Sequence, residues 1–103
     1  MVFGDKQVVL CHGVADLRKG AAGLLALLEL AQVDVWYLFS NRSRSLVKGV
    51  CLDSKGSWLV TRRLKQGHFQ WPERATGASL IDGLCAETIC SGERLKRLAE
   101  AVL

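Results

Sequence analysis

The sequence has no apolar stretch that could cross a membrane. Its longest apolar-rich run, Ala21 to Ala31, covers eleven of the 103 residues and contains Glu29. A transmembrane helix needs about 20 apolar residues, so we expect no membrane partner. The first residues, Met1 to Lys6, carry no basic leader before an apolar stretch. We therefore also expect no signal peptide and a cytoplasmic protein.

Metal and cofactor motifs are also missing. The sequence has four cysteines: Cys11, Cys51, Cys85 and Cys90. No His or second Cys pair stands near Cys85 and Cys90, so no tetrahedral zinc signature can be assembled, and we expect buried, reduced thiols instead. Gly20 and Gly23 lack the Gly-Lys-Ser/Thr ending of a phosphate-binding loop. We expect neither a metal nor a cofactor.

The sequence also shows no pair of residues typical of a catalytic site. The ten acidic residues form no paired motif of the kind that two-metal phosphoryl transfer requires. Cys11 and His12 are adjacent on an expected strand, so their side chains point to opposite faces and form no nucleophile–base pair. His68 lies in a basic, aromatic stretch and is interpreted as a surface histidine. The sequence therefore predicts a protein that is not an enzyme.

Positive charge is concentrated in the middle of the chain. Eight basic residues against two acidic ones give residues 42–74 a charge of +6, whereas residues 1–41 and 75–103 each carry −1. The eight are Arg42, Arg44, Lys48, Lys55, Arg62, Arg63, Lys65 and Arg74. Such asymmetry indicates a polyanionic partner, most often nucleic acid, or else a solvated face that maintains solubility.

Apolar periodicity predicts one α+β domain over residues 1–103. Val8–Cys11 is typical of a first strand, and apolar residues at helical spacing predict one long helix over 17–31, capped by Asp16. Three further runs predict an antiparallel meander. They are Val33–Phe39, Leu46–Leu52 and Ser57–Thr61. A C-terminal helix is expected after Ser91, with Leu95, Leu98, Ala99 and Val102 on one face.

The expected core lies between the long helix and the meander. Its members are Leu24, Leu28, Trp36, Phe39, Val50 and Leu59. Phe69 and Trp71 either belong to a core as well or contact bases and sugars beside the basic residues.

Two basic clusters are the candidate binding site. Arg18 and Lys19 are expected in the first turn of the long helix, where cations oppose the helix dipole and an anion would be favoured. The second cluster contains Arg42, Arg44, Lys48, Arg62, Arg63 and Lys65, with Trp71 beside it. In a hairpin that turns at residues 53–56, position 46 lies near position 63, so we expect both halves of this cluster to meet.

Two stretches resemble the accessory proteins of insertion sequence 66. Gly13–Gly20 with Gly23 and Leu24 is similar to their Gly-Val-Thr-Asp-Met-Arg-Lys stretch. The second stretch is similar to their phenylalanine–arginine-rich strand followed by Lys-Arg-Leu, Gly, Phe and Trp-Pro. It comprises Leu38–Arg44, Lys48, Asp53, Gly56, Arg62–Leu64, Gly67, Phe69, Trp71 and Pro72. Arg62 stands where the family has lysine.

The resemblance implies an accessory role in DNA transposition, in which a separate, larger transposase performs the cleavage. We expect the partners to be DNA, at the element ends, and the cognate transposase. Two alternatives stay open. One is a protein-interaction module without DNA contact. The other is a small basic ribonuclease of the toxin type, in which Arg42, Arg62, His68 and Tyr37 would act.

Overall fold

Five strands form a single mixed sheet in the computed structural model, which describes residues 3–28, 30–71, 77–81 and 83–91. The elements are β1 (Gln7–Cys11), α1 (Ala21–Leu25), β2 (Val35–Ser40), β3 (Leu46–Leu52), β4 (Ser57–Arg63), β5 (Ala78–Ile81) and α2 (Gly83–Ser91). The strand order is β4-β3-β2-β1-β5. Within the described residues, neither helix has the length and apolar character of a membrane span.

The antiparallel pairs β2–β3 and β3–β4 are those that the sequence predicts. Leu46 and Arg63 are direct partners, which confirms the expected closeness of positions 46 and 63. The remaining pairings were not predicted. Strand β1 lies parallel to β2 and antiparallel to β5, so it is an inner strand of the sheet.

The prediction of a long helix over 17–31 is wrong. Helix α1 has five residues and begins after Gly20, which supplies no side-chain cap. Asp16, the expected cap, accepts instead from the Arg18 N–H at 3.1 Å, and this local turn competes with helix formation. Gly20 and Gly23 each cost about 1 kcal/mol relative to alanine in a helix. After Leu25 the backbone forms a tighter turn, in which the Leu28 N–H donates to the Leu25 carbonyl, three residues before it.

The predicted α+β class, with the sheet packed by one long helix, is consequently wrong. Two separate apolar clusters cover the two faces of the sheet. One face holds Val8, Leu10, Trp36, Leu38, Val47, Cys51 and Ile81 with Phe3, Phe69, Trp71 and residues of α2. The other holds Cys11, Val35, Tyr37, Phe39, Leu46 and Val50 with Leu17 and Leu24. The expected helix stripe is replaced by an irregular segment, of which α1 is only one turn.

Because the apolar residues are divided between the two faces of the sheet, the predicted core is only partly correct. Leu24, Phe39 and Val50 pack together as expected, and Leu28 is half-buried against them. Trp36 is buried in the cluster on the opposite face. Leu59 is 41% exposed, because it lies on the edge strand β4, so its place in the core was wrong.

The described part of the C-terminal region also differs from the sequence-based prediction. Helix α2 ends at Ser91, a residue that was expected to cap a later helix. The predicted helix with Leu95, Leu98, Ala99 and Val102 lies outside the described residues. Strand β5 and helix α2 had no counterpart in the sequence-based prediction.

Among the side chains that the structure describes, the thiols of Cys11, Cys51 and Cys90 are free, as the sequence predicts. Cys11 and Cys51 are buried, and Cys90 is half-buried. Burial raises the pKa of Cys11 and of Cys90 to about 12, and it also raises the pKa of Cys51. At neutral pH these sulfurs are protonated and serve as small apolar groups.

Candidate nucleic-acid interface

The turn between β2 and β3 is organised by Asn41, a residue that the sequence-based search for charge did not single out. Its Oδ1 accepts from the N–H groups of Ser45 and Leu46 at 3.1 and 3.2 Å. Arg44 has a φ of +56°, in the left-handed region that is uncommon for a non-glycine residue. Its N–H donates to the Asn41 carbonyl at 3.2 Å. The run Ser-Asn-Arg-Ser-Arg-Ser is typical of such an Asx-supported turn.

Arg44 points inward and joins three parts of the chain. Its Nη1 donates to the Gly13 carbonyl at 2.8 Å, and its guanidinium lies 5.4 Å from the centre of the Trp71 ring. The Arg44 carbonyl accepts from the Phe69 N–H. Trp71 is only 3% exposed and donates from Nε1 to the Cys11 carbonyl at 3.3 Å. Arg44 and Trp71 therefore hold the motif-bearing segments together from inside.

The segment around Asp16 lies beside this turn. It is attached to β2 by the Ala15 N–H, which donates to the Ser40 carbonyl at 3.0 Å. Arg18 donates from Nε and Nη2 to the two Asp16 carboxylate oxygens, each at 2.9 Å. This contact holds the pKa of Asp16 well below its usual range and raises the pKa of Arg18. Arg18 has Nη1 left for another acceptor, and its side chain is 91% exposed.

A basic cleft of about 590 Å³ opens between this segment and the hairpin of β3 and β4. It is lined by Val14, Ala15, Asp16, Leu17, Arg18, Asn41, Arg42, Leu46, Lys48, Thr61 and Arg63. The strand register explains why two of these cations lie at the cleft. Lys48 pairs with Thr61, and Leu46 pairs with Arg63, so Lys48 and Arg63 emerge on the same face of the sheet.

The cations of the basic cleft outnumber its carboxylates. Arg18, Arg42, Lys48 and Arg63 line it together with one acidic residue, Asp16. The ion pairs Lys6–Asp34 and Arg18–Asp16 do not involve the other three cations, and within the described part of the chain no carboxylate forms a salt bridge with Arg42, Lys48 or Arg63. Three like charges at one cleft repel one another, and a bound anion would relieve that repulsion.

The other residues of the expected site lie elsewhere. Arg62 pairs with Val47 and thus emerges on the opposite face from Arg63. Lys19 precedes α1, in a turn closed by its N–H on the Asp16 carbonyl at 3.3 Å, and was wrongly expected, with Arg18, inside a helix. Lys65 is exposed after β4. Lys19 and Lys65 do not line the basic cleft.

The residues of the ribonuclease alternative are not brought together. The Tyr37 ring is buried, and its hydroxyl accepts from the Gln32 N–H at 2.8 Å. Arg62 lies on the face opposite to Arg42, which lines the basic cleft. His68 is exposed beyond the end of β4. Among the described residues, no three His, Cys, Asp or Glu side chains converge as metal ligands.

Comparison with known proteins places this chain in a family. The sequence model of the IS66 Orf2-like proteins matches residues 6–100, and the chain belongs to that family. The family associates the chain with transposition, as an accessory protein, and confirms the resemblance to the insertion sequence 66 accessory proteins.

One relative is the uncharacterized protein y4hO of Sinorhizobium fredii. It is 34% identical over 91 residues, which are 84% of this chain and 79% of that protein. No solved structure matches the chain.

Proposed function

We propose that this accessory protein binds DNA during transposition through the basic cleft and catalyses no reaction itself. The observation that carries the proposal is the placement of Arg42, Lys48 and Arg63 at one cleft, with no described carboxylate to pair with them. Family membership indicates that the process is transposition, and the positive charge of the cleft suggests DNA as the ligand. Such a protein would act in the cytoplasm, at the ends of the element.

The chemistry of the cleft favours phosphate over a base edge. Arginine and lysine side chains from a turn and two strands converge there, and each can neutralise a backbone phosphate and release a counterion. No aromatic ring is among the described residues that line the cleft, and Trp71 is buried beneath Arg44. We therefore expect contacts that position the duplex without reading its sequence directly.

A charge-matched pair of variants tests this proposal. The triple variant R42Q/K48Q/R63Q removes three cations from the basic cleft, and K19Q/K55Q/K65Q removes three exposed cations outside it. Fluorescence anisotropy with element-end and unrelated duplexes, across a salt series, is the measurement. The cleft variant should lose affinity for both duplexes and flatten the salt dependence. The control should stay close to the parent chain. Equal losses in both variants would mean that only net charge matters.

The cognate transposase is a second proposed partner for the same face. The observation in its favour is Val14, which lines the cleft and is 51% exposed, together with Leu17 and Leu46 on the cleft wall. A protein interface with an apolar centre would weaken little with salt. Binding through phosphates loses about 0.9 log units of affinity per log unit of salt for each phosphate neutralised. Co-purification with the transposase at high salt, without DNA retardation at low salt, would favour this partner.

A further inference from the structure

Strand β4 has a free edge. It is the terminal strand of the sheet, and β3 is the partner assigned to it within the described residues. It has seven residues and no proline, and its apolar side chains are exposed, with Trp58 at 59% and Leu59 at 41%. A long, unblocked edge is a template for pairing with another strand. We propose that β4 pairs antiparallel with β4 of a second copy of this chain and joins the two sheets.

The direction in which the backbone N–H and C=O groups of β4 point determines which of them are available for pairing with a second strand. At the ends of the β3–β4 ladder, the Leu64 N–H donates to the Ser45 carbonyl and the Asp53 N–H donates to the Gly56 carbonyl. Both bonds continue the strand register, and bonded pairs alternate along an antiparallel ladder. Residues 58, 60 and 62 therefore bond to β3. The N–H and C=O groups of residues 57, 59, 61 and 63 point to the free edge.

One register uses all of these groups. A two-fold axis at Val60 places Leu59 opposite Thr61 of the second copy and Ser57 opposite its Arg63. Each of these pairs is of the hydrogen-bonded kind, because both members direct their backbone groups outward. The strand is thus self-complementary over its whole length. Isologous pairing of this type is the usual arrangement in a symmetric dimer.

The side chains also complement each other in this register. Trp58 lies opposite Arg62 of the second copy, in a non-hydrogen-bonded pair, where side chains approach most closely. The Trp58 indole donates from Nε1 to the Asp53 carboxylate at 3.0 Å. The incoming guanidinium would meet an aromatic face and a carboxylate. Neither Arg62 nor Arg63 would face a cation directly. This charge match favours a second copy over a strand of unrelated sequence.

The arrangement keeps both basic clefts on one side. Pairing about an axis perpendicular to the sheet leaves each face continuous, so Arg63 and Lys48 of both copies emerge on the same face. The two Arg63 positions would be separated by about 20 Å along the strands, from a rise of about 3.4 Å per residue. The dimer does not depend on the proposed DNA binding, and its tests contain no DNA.

Cysteine cross-linking tests the register. In a non-hydrogen-bonded pair the Cα atoms are about 4.5 Å apart, which suits a disulfide. Under mild oxidation, V60C should form a covalent dimer on a non-reducing gel. L59C is the matched control, since its partner is Thr61 and not itself. A mixture of W58C and R62C chains should form the mixed dimer, whereas the parent chain should not cross-link. Absence of the V60C cross-link, or equal cross-linking of L59C, would overturn the register.

Oligomeric state tests the pairing itself. Light scattering after size-exclusion chromatography should show the parent as a concentration-dependent dimer. T61P removes an outward N–H and leaves the bonds to β3, so it should yield a folded monomer, whereas T61A should dimerise. L59K adds a cation at the exposed edge, diagonal to Arg63 of the second copy, and should also be monomeric, even if T61P fails to fold. A parent chain that is monomeric throughout the series would overturn the proposal.

Discussion

Arg62 and Arg63 are consecutive in the chain but emerge on opposite faces of the sheet. Arg63 pairs with Leu46 and lines the basic cleft, while Arg62 pairs with Val47 on the other side of β3. Side chains alternate along a strand, so neighbours in a basic run need not share a ligand. The pair offers a direct comparison between a cleft residue and a residue of the same charge outside it.

The comparison predicts that each arginine affects a different measurement. R63Q should reduce the slope of log affinity for DNA against log salt by about 0.9, the value for one lost phosphate contact. R62Q should leave that slope unchanged and weaken self-association instead, because Arg62 would face Trp58 of a second copy. Anisotropy with a short duplex and light scattering without DNA are the two measurements. The assignment of faces fails if R62Q changes the salt slope as much as R63Q does.

A second prediction concerns the segment that replaces the long helix. Leu24 is fully buried against the sheet, Leu28 is half-buried, and Leu30 is 75% exposed. We expect L24A to lower the free energy of unfolding by about 2–5 kcal/mol, since the change leaves a cavity in a packed cluster. L28A should cost less, and L30A close to nothing. Urea titrations of the three variants give the order of these losses. A larger loss for L28A than for L24A would contradict the irregular segment and favour the regular helix.

Arg44 provides a third prediction, about stability. R44K keeps the charge but loses the planar guanidinium that donates to Gly13 and covers the Trp71 ring. The expected loss is about 1.5–3 kcal/mol, the range for a hydrogen bond that involves a charged group. R42K, in the same turn but exposed, is the control and should unfold like the parent. Equal urea midpoints for both variants would contradict an internal role for Arg44.

The fourth prediction is a pH dependence at the β3–β4 turn. The Asp53 carboxylate accepts from the N–H groups of Lys55 and Gly56, each at 2.8 Å, and from the Trp58 indole. These bonds hold the pKa of Asp53 below its usual value, with the Lys55 N–H as the largest cause. A depressed pKa in the folded state stabilises the fold above the unfolded pKa of about 3.9.

That contribution is lost as the pH falls from about 4 through the lower folded value. D53N should therefore be less stable than the parent at pH 7 and should lose less stability between pH 5 and pH 2. Urea midpoints across this range are the measurement. D5N is a suitable control, because Asp5 is exposed and makes no ion pair within the described residues. A parallel decline for D53N and the parent would contradict the turn geometry.

The sequence by itself determined the strands that form the meander and the family of the protein. Short runs of β-branched and aromatic residues bounded by polar turns specify β2, β3 and β4, because neighbouring strands with tight turns need only local information. The hairpin register followed from the position of its turn, and the motifs in residues 13–24 and 38–72 sufficed for the family.

Only the tertiary structure decided what surrounds these strands. The apolar spacing of residues 17–31 fits a helix, but the local bonds of Asp16 and two glycines limit α1 to five residues. Whether a basic residue lines the cleft or supports the fold was equally undetermined. Arg44 is held against the Gly13 carbonyl and the Trp71 ring, and Trp71 is buried in a cluster of residues distant in sequence. Long-range contacts set both outcomes, because the free energy of burial exceeds that of local propensity.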